Sequence, residues 1–113
     1  MKTTFKVVAI IVLTLTSSPI HSQVVYSNEH VDLIKLEEHL FMLRENYRFT
    51  VNSLVIEGDS GLLIIDTGFK DLAADFIDAV SFLEKEVKII INTHGHHDHV
   101  GANSKFYGEV PAY

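Results

Sequence analysis

The sequence contains no cysteine among its 113 residues. This absence excludes disulfide bonds and a lipid anchor on cysteine. It also excludes thiolate metal ligands, so any metal ion must be bound by imidazole and carboxylate groups. Positive charge is scarce too, because nine Lys and Arg stand against 15 Asp and Glu, a net charge of −6. A surface that binds nucleic acid or anionic lipid needs clustered cations, so neither is expected as a partner.

The first 22 residues have the layout of a secretory signal peptide. Two lysines begin it, residues 7–16 are uncharged and mostly apolar, and a polar stretch with Pro19 follows. The apolar run is short for a membrane span, which needs about 20 residues, so a cleaved signal is favoured over an anchor. Cleavage after Ser22 would leave 91 residues with a net charge of −8. We therefore expect an exported protein, periplasmic or secreted, without stable membrane insertion after cleavage.

Several short segments of residues 23–113 have strand patterns. Strands are predicted near 32–36 and 39–44, although a helix is also compatible with this region, and polar residues 44–50 predict a connection. Another strand is predicted over 51–57. The sequence GDSG then separates it from the apolar run LLIID (62–66), which favours a β-hairpin. Because LLIID is continuously apolar, it is expected to be covered on both faces.

One amphipathic pattern follows. Apolar residues recur at spacings of four, four and three within residues 70–86, which predicts a helix; they are Leu72, Phe76, Val80 and Leu83. VKIII (87–91) has the pattern of another buried strand, residues 100–106 favour a second helix, and the final six residues favour a loop or the start of a strand. Strands alternating with helices indicate a layered α/β fold, which often places its site after a buried strand.

Four histidines and an aspartate occupy the six positions from His94 to His99, directly after VKIII. His94 and His96 are two residues apart, so in an extended segment both imidazoles reach one cation. A turn would direct Asp98 and His99 to a second cation. His97 is expected to face solvent or to lie behind the ligands. A solvated His-rich loop and adventitious metal binding are the alternatives; the density of ligands after a buried strand favours a true metal site.

The motif H-x-H-x-D-H, His94 to His99, resembles the signature of the metallo-β-lactamase superfamily. NSLVIEGDSGLLIIDTG (52–68) resembles that family's hairpin with its Asp-Thr-Gly turn, and VGAN (100–103) its helix start. The resemblance covers about residues 31–113. It implies an αβ/βα sandwich with a dinuclear metal site, of which this chain carries about the first half.

By this resemblance His94 and His96 bind the first metal, and Asp98 and His99 bind the second. Asp66 would be a structural or second-shell residue under the loop, or simply a strand-end turn former. Di-iron members carry Glu at the position of His96, so imidazole there favours zinc, two ions in the complete enzyme. Zinc lowers the pKa of bound water to about 7, and the hydroxide attacks a carbonyl. Asp98 is the candidate catalytic residue, orienting the nucleophile or relaying its proton.

The sequence departs from the family pattern after His99. The family continues with a further histidine, a bridging carboxylate and a last histidine, whereas this sequence has no later histidine and only Glu109 as an acid. Two ligands per ion remain, while catalytic zinc takes three. We therefore expect residues 23–113 to be the N-terminal part of a truncated domain, inactive alone and with an exposed apolar sheet face.

Three functions are compatible with these residues. The first is a zinc hydrolase acting on a small molecule, such as a β-lactam. The second is a lactonase or other esterase, or a thioesterase, of the same fold. The third is a secreted metal-binding protein without catalysis.

Overall fold

The computed structural model describes residues 22–106 and 110–113. The predicted signal peptide, residues 1–22, lies outside the described residues except for Ser22. In the part of the chain that the structure describes, no helix is long and apolar enough to cross a membrane.

The described chain forms one six-stranded sheet, in which the strands lie side by side in sequence order. The strands are β1 (Gln23–Ser27), β2 (Val31–Glu37), β3 (Leu40–Asn46), β4 (Thr50–Glu57), β5 (Leu62–Ile65) and β6 (Val87–Ile91). Each successive pair from β1–β2 to β4–β5 is antiparallel, and β6 runs parallel to β5. The predicted hairpin is β4–β5 and is confirmed. The sequence did not indicate β1, and it assigned to a connection three residues, 44–46, that belong to β3.

A helical crossover joins the parallel pair. It begins with a 3-10 turn, Lys70–Leu72, and continues as helix α1, Ala73–Ser81. The prediction of helix over 70–86 is wrong at its C-terminal end. The backbone N–H groups of Phe82, Leu83 and Glu84 donate to carbonyls three residues earlier, and Glu84 has a φ of 53°. A positive φ is incompatible with a right-handed helix, so α1 cannot extend past this point.

The core lies between α1 and one face of the sheet. The apolar side chains that recur along the helix pattern meet this face: Leu72, Phe76 and Val80 are buried, and Leu83 is half-buried. The largest fully buried side chains of the core come from the helix and from five strands: Phe76, Leu33, Leu43, Leu62, Ile64, Ile90, Val31 and Val55. This packing fixes β5 and β6 side by side, so the loops that follow them begin at the same edge of the sheet.

The opposite face of the sheet is also apolar. Two rows of registered residues cross it: Ile34, Met42, Leu54, Ile65 and Ile91 in one, and Leu40, Ile56, Leu63 and Ile89 in the other. Ile89 and Ile91 are 36% and 39% exposed, and Ile65 is half-buried. The expectation that β5 is covered on both faces is therefore wrong for the described chain, whereas the expected exposed apolar sheet face is present. Strand β6 is apolar apart from Lys88, but α1 covers only one of its faces.

The C-terminal segment differs from the predicted second helix. Residues 100–106 contain only a 3-10 turn, Asn103–Lys105. The N–H groups of Asn103, Lys105 and Phe106 donate to carbonyls three residues earlier, which is 3-10 rather than α-helical bonding. The turn after β5 holds this segment, because Ala102 N–H donates to the carbonyl of Thr67 and the Thr67 hydroxyl donates to Oδ1 of Asn103. Ala112 pairs with Ile90 as an isolated parallel bridge outside the six strands, so the last residues contact the sheet edge without forming a strand of their own in the described chain.

Phe76→Ala should lower the free energy of unfolding by about 3–5 kcal/mol, because Phe76 is fully buried between α1 and the sheet and its loss leaves a cavity. Phe82→Ala is the matched control, since Phe82 is 49% exposed, and should cost much less. Urea unfolding followed by circular dichroism measures both. Equal losses would contradict this position of the core.

Candidate metal centre

The histidine segment lies at the sheet edge where β5 and β6 both end. Residues 93–99 follow β6, and residues 66–69 follow β5. Because the two strands are parallel, these segments leave the sheet side by side. Asp66 N–H donates to the carbonyl of Ile91 at 2.8 Å, so the first residue after β5 is tied to the last residue of β6.

Backbone hydrogen bonds join the Asp66–Phe69 turn to the end of the histidine segment. Thr67 N–H donates to the carbonyl of His99 at 2.8 Å, and Gly101 N–H donates to that of Gly68 at 2.8 Å. Gly101 has no room for a side chain, since a Cβ there would overlap the backbone of residues 68–70. The absence of a side chain at Gly101 therefore allows the two segments to approach this closely. The C-terminal end of the histidine segment is therefore held against this turn by backbone hydrogen bonds.

The four predicted metal ligands lie together above this support. Metal-binding atoms of His94, His96 and Asp98 lie within 4.8 Å of one another. The ring centroids of His94 and His99 are 4.2 Å apart, and Asp98 Oδ2 lies 3.5 Å from Nε2 of His99. Asp98 is therefore close both to the first pair of histidines and to His99. The division of these ligands between two ions stays a prediction.

Asp66 lies beneath the ligands and is nearly fully buried. Its Oδ1 accepts the backbone N–H of Thr93 at 2.8 Å, and its Oδ2 accepts the Thr93 hydroxyl at 2.7 Å. The same Oδ2 lies 2.8 Å from Nδ1 of His99. Burial raises the pKa of Asp66, but these hydrogen bonds together outweigh it and hold the pKa below its ordinary value. The carboxylate is therefore ionised at neutral pH and contacts both ends of the histidine segment.

The donor set fits zinc. It consists of three imidazoles and one carboxylate, the nitrogen and oxygen ligands that zinc takes when no thiolate is present. Since Nδ1 of His99 is engaged with Asp66, the free ring nitrogen is Nε2, which is the atom beside Asp98. His97 is exposed and lines an open pocket beside the ligands with Tyr47, Arg48, Phe49, Phe69, Lys70 and Asp71.

Glu45 contacts the same turn from the side of the sheet and is not among the residues predicted from the sequence. Its side chain is fully buried, and Oε2 accepts the backbone N–H of Phe69 at 2.8 Å. Gly68 lies against this carboxyl group with a φ of 68°, and a Cβ there would overlap it. Burial raises the pKa of Glu45 to about 7, although the Phe69 N–H lowers it. The available signal was the alternation of Phe41, Leu43 and Glu45 along one strand face.

The comparison with protein families identifies the chain. The model of the metallo-beta-lactamase superfamily matches residues 46–112, more than half of the sequence. The chain therefore belongs to this superfamily, as the resemblance of the histidine motif indicated. No curated protein matches the sequence.

Solved structures show the same fold. A metallo-beta-lactamase from Erythrobacter litoralis superposes with a TM-score of 0.68 at 19% identity, over 77% of this chain and 42% of that chain. One from Pontibacter korlensis gives 0.63 at 21% identity, over 73% and 42%. DIM-1 metallo-beta-lactamase gives 0.64 at 18% identity, over 74% and 41%. The chain thus spans about two fifths of the length of these structures and has a partial metallo-beta-lactamase fold.

The buried carboxyl of Glu45 should make stability depend on pH. Because the pKa of Glu45 is raised in the folded protein, the protonated carboxyl contributes to the free energy of unfolding. This contribution is complete below about pH 4.5 and is lost as the pH rises to about 7. Glu45→Gln should remove this decline, which is on the order of 2 to 3 kcal/mol. Urea unfolding of the metal-free protein from pH 4 to 8 gives the free energy of unfolding, and the value of the variant is subtracted from that of the parent at each pH. Glu38→Gln, an exposed control, should keep the decline; a flat difference curve for Glu45→Gln would contradict the buried carboxyl.

Proposed function

We propose that the protein is a zinc-dependent hydrolase acting on a carbonyl group of a small molecule: a β-lactam, a lactone, an ester or a thioester. The observation that carries this proposal is the convergence of His94, His96, Asp98 and His99 at one sheet edge. Membership of the metallo-beta-lactamase superfamily supports it. The relatives in the structural comparison bear the name metallo-beta-lactamase, which favours a β-lactam as the first substrate to assay.

The ligands have separate roles in this proposal. His94 and His96 hold one ion, and Asp98 and His99 hold the other. Bound zinc supplies a water nucleophile at neutral pH and polarises the carbonyl. Asp98 is half-buried beside His99, so its carboxylate is placed to orient the attacking water or to accept its proton at Oδ2. This makes Asp98 the one catalytic residue that we assign in the described chain.

The substrate would lie in the open pocket beside the ligands. Phe69 forms its floor, with the rings of Tyr47 and Phe49 edge-on to it at centroid distances of 5.7 Å and 5.1 Å. Tyr47 and Phe49 are 43% and 54% exposed, so apolar surface is available to a ligand. The pocket has a volume of about 240 Å³ and reaches His97. An aromatic-lined cleft next to a metal centre suits a small molecule with an apolar substituent.

Turnover requires more ligands than the described residues bring together at this site. The four residues give two ligands to each of two ions, whereas catalytic zinc usually has three protein ligands and an open position. We therefore propose that the hydrolase activity belongs to the whole protein, and that residues 23–113 alone bind zinc without turnover. The same number of ligands favours the alternative of a metal-binding protein without catalysis, in which the exposed His94 and His96 exchange zinc freely.

We also propose that the protein is exported to the periplasm or secreted, on the strength of the signal-like residues 1–22. N-terminal sequencing of the protein recovered from cell fractions tests this proposal. A mature N-terminus near Gln23 in the exported fraction is expected, and an intact N-terminus in the cytoplasm would contradict it.

Zinc titration tests the metal site directly. The chain should bind zinc, and His96→Asn should weaken binding by more than about tenfold because a ligand is lost. His39→Asn is the matched control, since His39 is an exposed histidine in the turn between β2 and β3, and it should bind as the parent does. Competition with a chromophoric chelator measures the affinity. Equal affinity of parent and His96→Asn would contradict the site.

Activity assays separate the candidate functions. Residues 23–113 with zinc should hydrolyse neither a β-lactam, nor a lactone, nor a thioester. Turnover by this chain would contradict the requirement for further ligands. A longer protein that supplies those ligands should bind two ions tightly and hydrolyse one of these substrates; free exchange of zinc without turnover would favour the non-catalytic candidate.

A further inference from the structure

The side chain of Thr93 lies between the buried carboxylate and the first histidine of the motif. Its Oγ1 is 2.7 Å from Oδ2 of Asp66 and 2.8 Å from Nδ1 of His94. Its backbone N–H donates to the other carboxylate oxygen of Asp66 at 2.8 Å. One carboxylate thus holds Thr93 at two points, and the hydroxyl is within hydrogen-bonding distance of the imidazole.

The direction of each hydrogen bond follows from the number of protons. An ionised carboxylate only accepts hydrogen bonds, and a hydroxyl has a single proton to donate. Since Thr93 donates that proton to Asp66, its oxygen is left as an acceptor, and Nδ1 of His94 must carry the proton that it accepts. In the tautomer with the proton on Nδ1, the ring lone pair available to a metal is on Nε2.

His99 contacts Asp66 directly, without an intermediate group. Its Nδ1 lies 2.8 Å from Oδ2 of Asp66, a carboxylate oxygen that only accepts, so Nδ1 carries the proton of this bond. Nε2 lies 3.5 Å from Oδ2 of Asp98, longer than an ordinary N–H···O hydrogen bond. Oδ2 of Asp66 therefore accepts both the hydroxyl of Thr93 and the ring N–H of His99. In this way a single oxygen determines the tautomer of one histidine from each predicted ligand pair.

We propose that Thr93 is a positioning residue that sets the tautomer of His94, so that Asp66 prepares both ligand pairs for metal through Thr93 and His99. The proposal rests on the zinc-binding role of His94 and His99 given above. Threonine suits this position because its β-branched side chain has a restricted χ1, which keeps the hydroxyl directed between its two partners. A histidine held in the metal-binding tautomer loses no further freedom of proton placement when the ion arrives.

The test uses Thr93→Val, which keeps the shape and removes the hydroxyl, and Thr93→Ser, which keeps the hydroxyl. Long-range ¹H–¹⁵N spectra of the metal-free protein at pH 8 report which ring nitrogen of His94 carries the proton. The parent and Thr93→Ser should show the Nδ1–H form. Thr93→Val should populate the Nε2–H form at His94 while His99 stays Nδ1–H, since its own bond to Asp66 remains. Circular dichroism verifies that each variant is folded.

Zinc affinity provides the second readout. Thr93→Val should bind zinc about 10- to 100-fold more weakly, the usual effect of removing a partner of a metal-binding histidine, and Thr93→Ser should stay close to the parent. An unchanged Nδ1–H form of His94 in Thr93→Val would overturn the inference, as would equal weakening in the two variants. If the parent fails to bind zinc while the tautomer shifts as expected, the proposed function fails and the role of Thr93 stands.

Discussion

The carboxylate of Asp66 is the interaction on which the arrangement of the site depends. Asp66 is almost fully buried, and its backbone has a φ of 66°. The two carboxylate oxygens accept three hydrogen bonds from Thr93 and His99. These bonds offset the cost of burying a charge and hold its pKa low. Aspartate tolerates this left-handed backbone better than most residues, and the conformation turns its side chain under the histidine segment. The loop that bears the candidate metal ligands follows β6, and Asp66 attaches it to the end of β5.

The fold places Asp66 where it can do this. The crossover through α1 makes β5 and β6 parallel neighbours, and parallel strands end at the same edge. Phe76 and the other core residues bury α1 against the sheet and fix that pairing. Glu45 then secures the far end of the turn through Phe69. The site is thus built on the ends of two strands and supported by a third, which gives exposed ligands a rigid base.

The sequence predicted the features that depend on local pattern. The strands at 51–57 and 62–66 and their hairpin follow from apolar runs separated by GDSG, and the candidate metal ligands were named from the spacing of four histidines and Asp98. Glu45 was missed because its partner, Phe69, is 24 residues away and no local pattern links them. The contact of Thr93 with Asp66 is equally non-local, at 27 residues. Burial of β6 was misjudged because Ile89 and Ile91 are apolar, while their exposure depends on what packs against that face.

The central claim is that the turn after β5 holds the histidine segment in place before any metal binds. Amide hydrogen exchange of the metal-free protein tests it most directly, at Thr67 and Gly101, whose N–H groups join the two segments. The account predicts that both amides are protected to an extent similar to Ile64 in the neighbouring strand. Exchange at the rate of an unstructured chain would show that the segment is free until metal arrives, and would contradict the account.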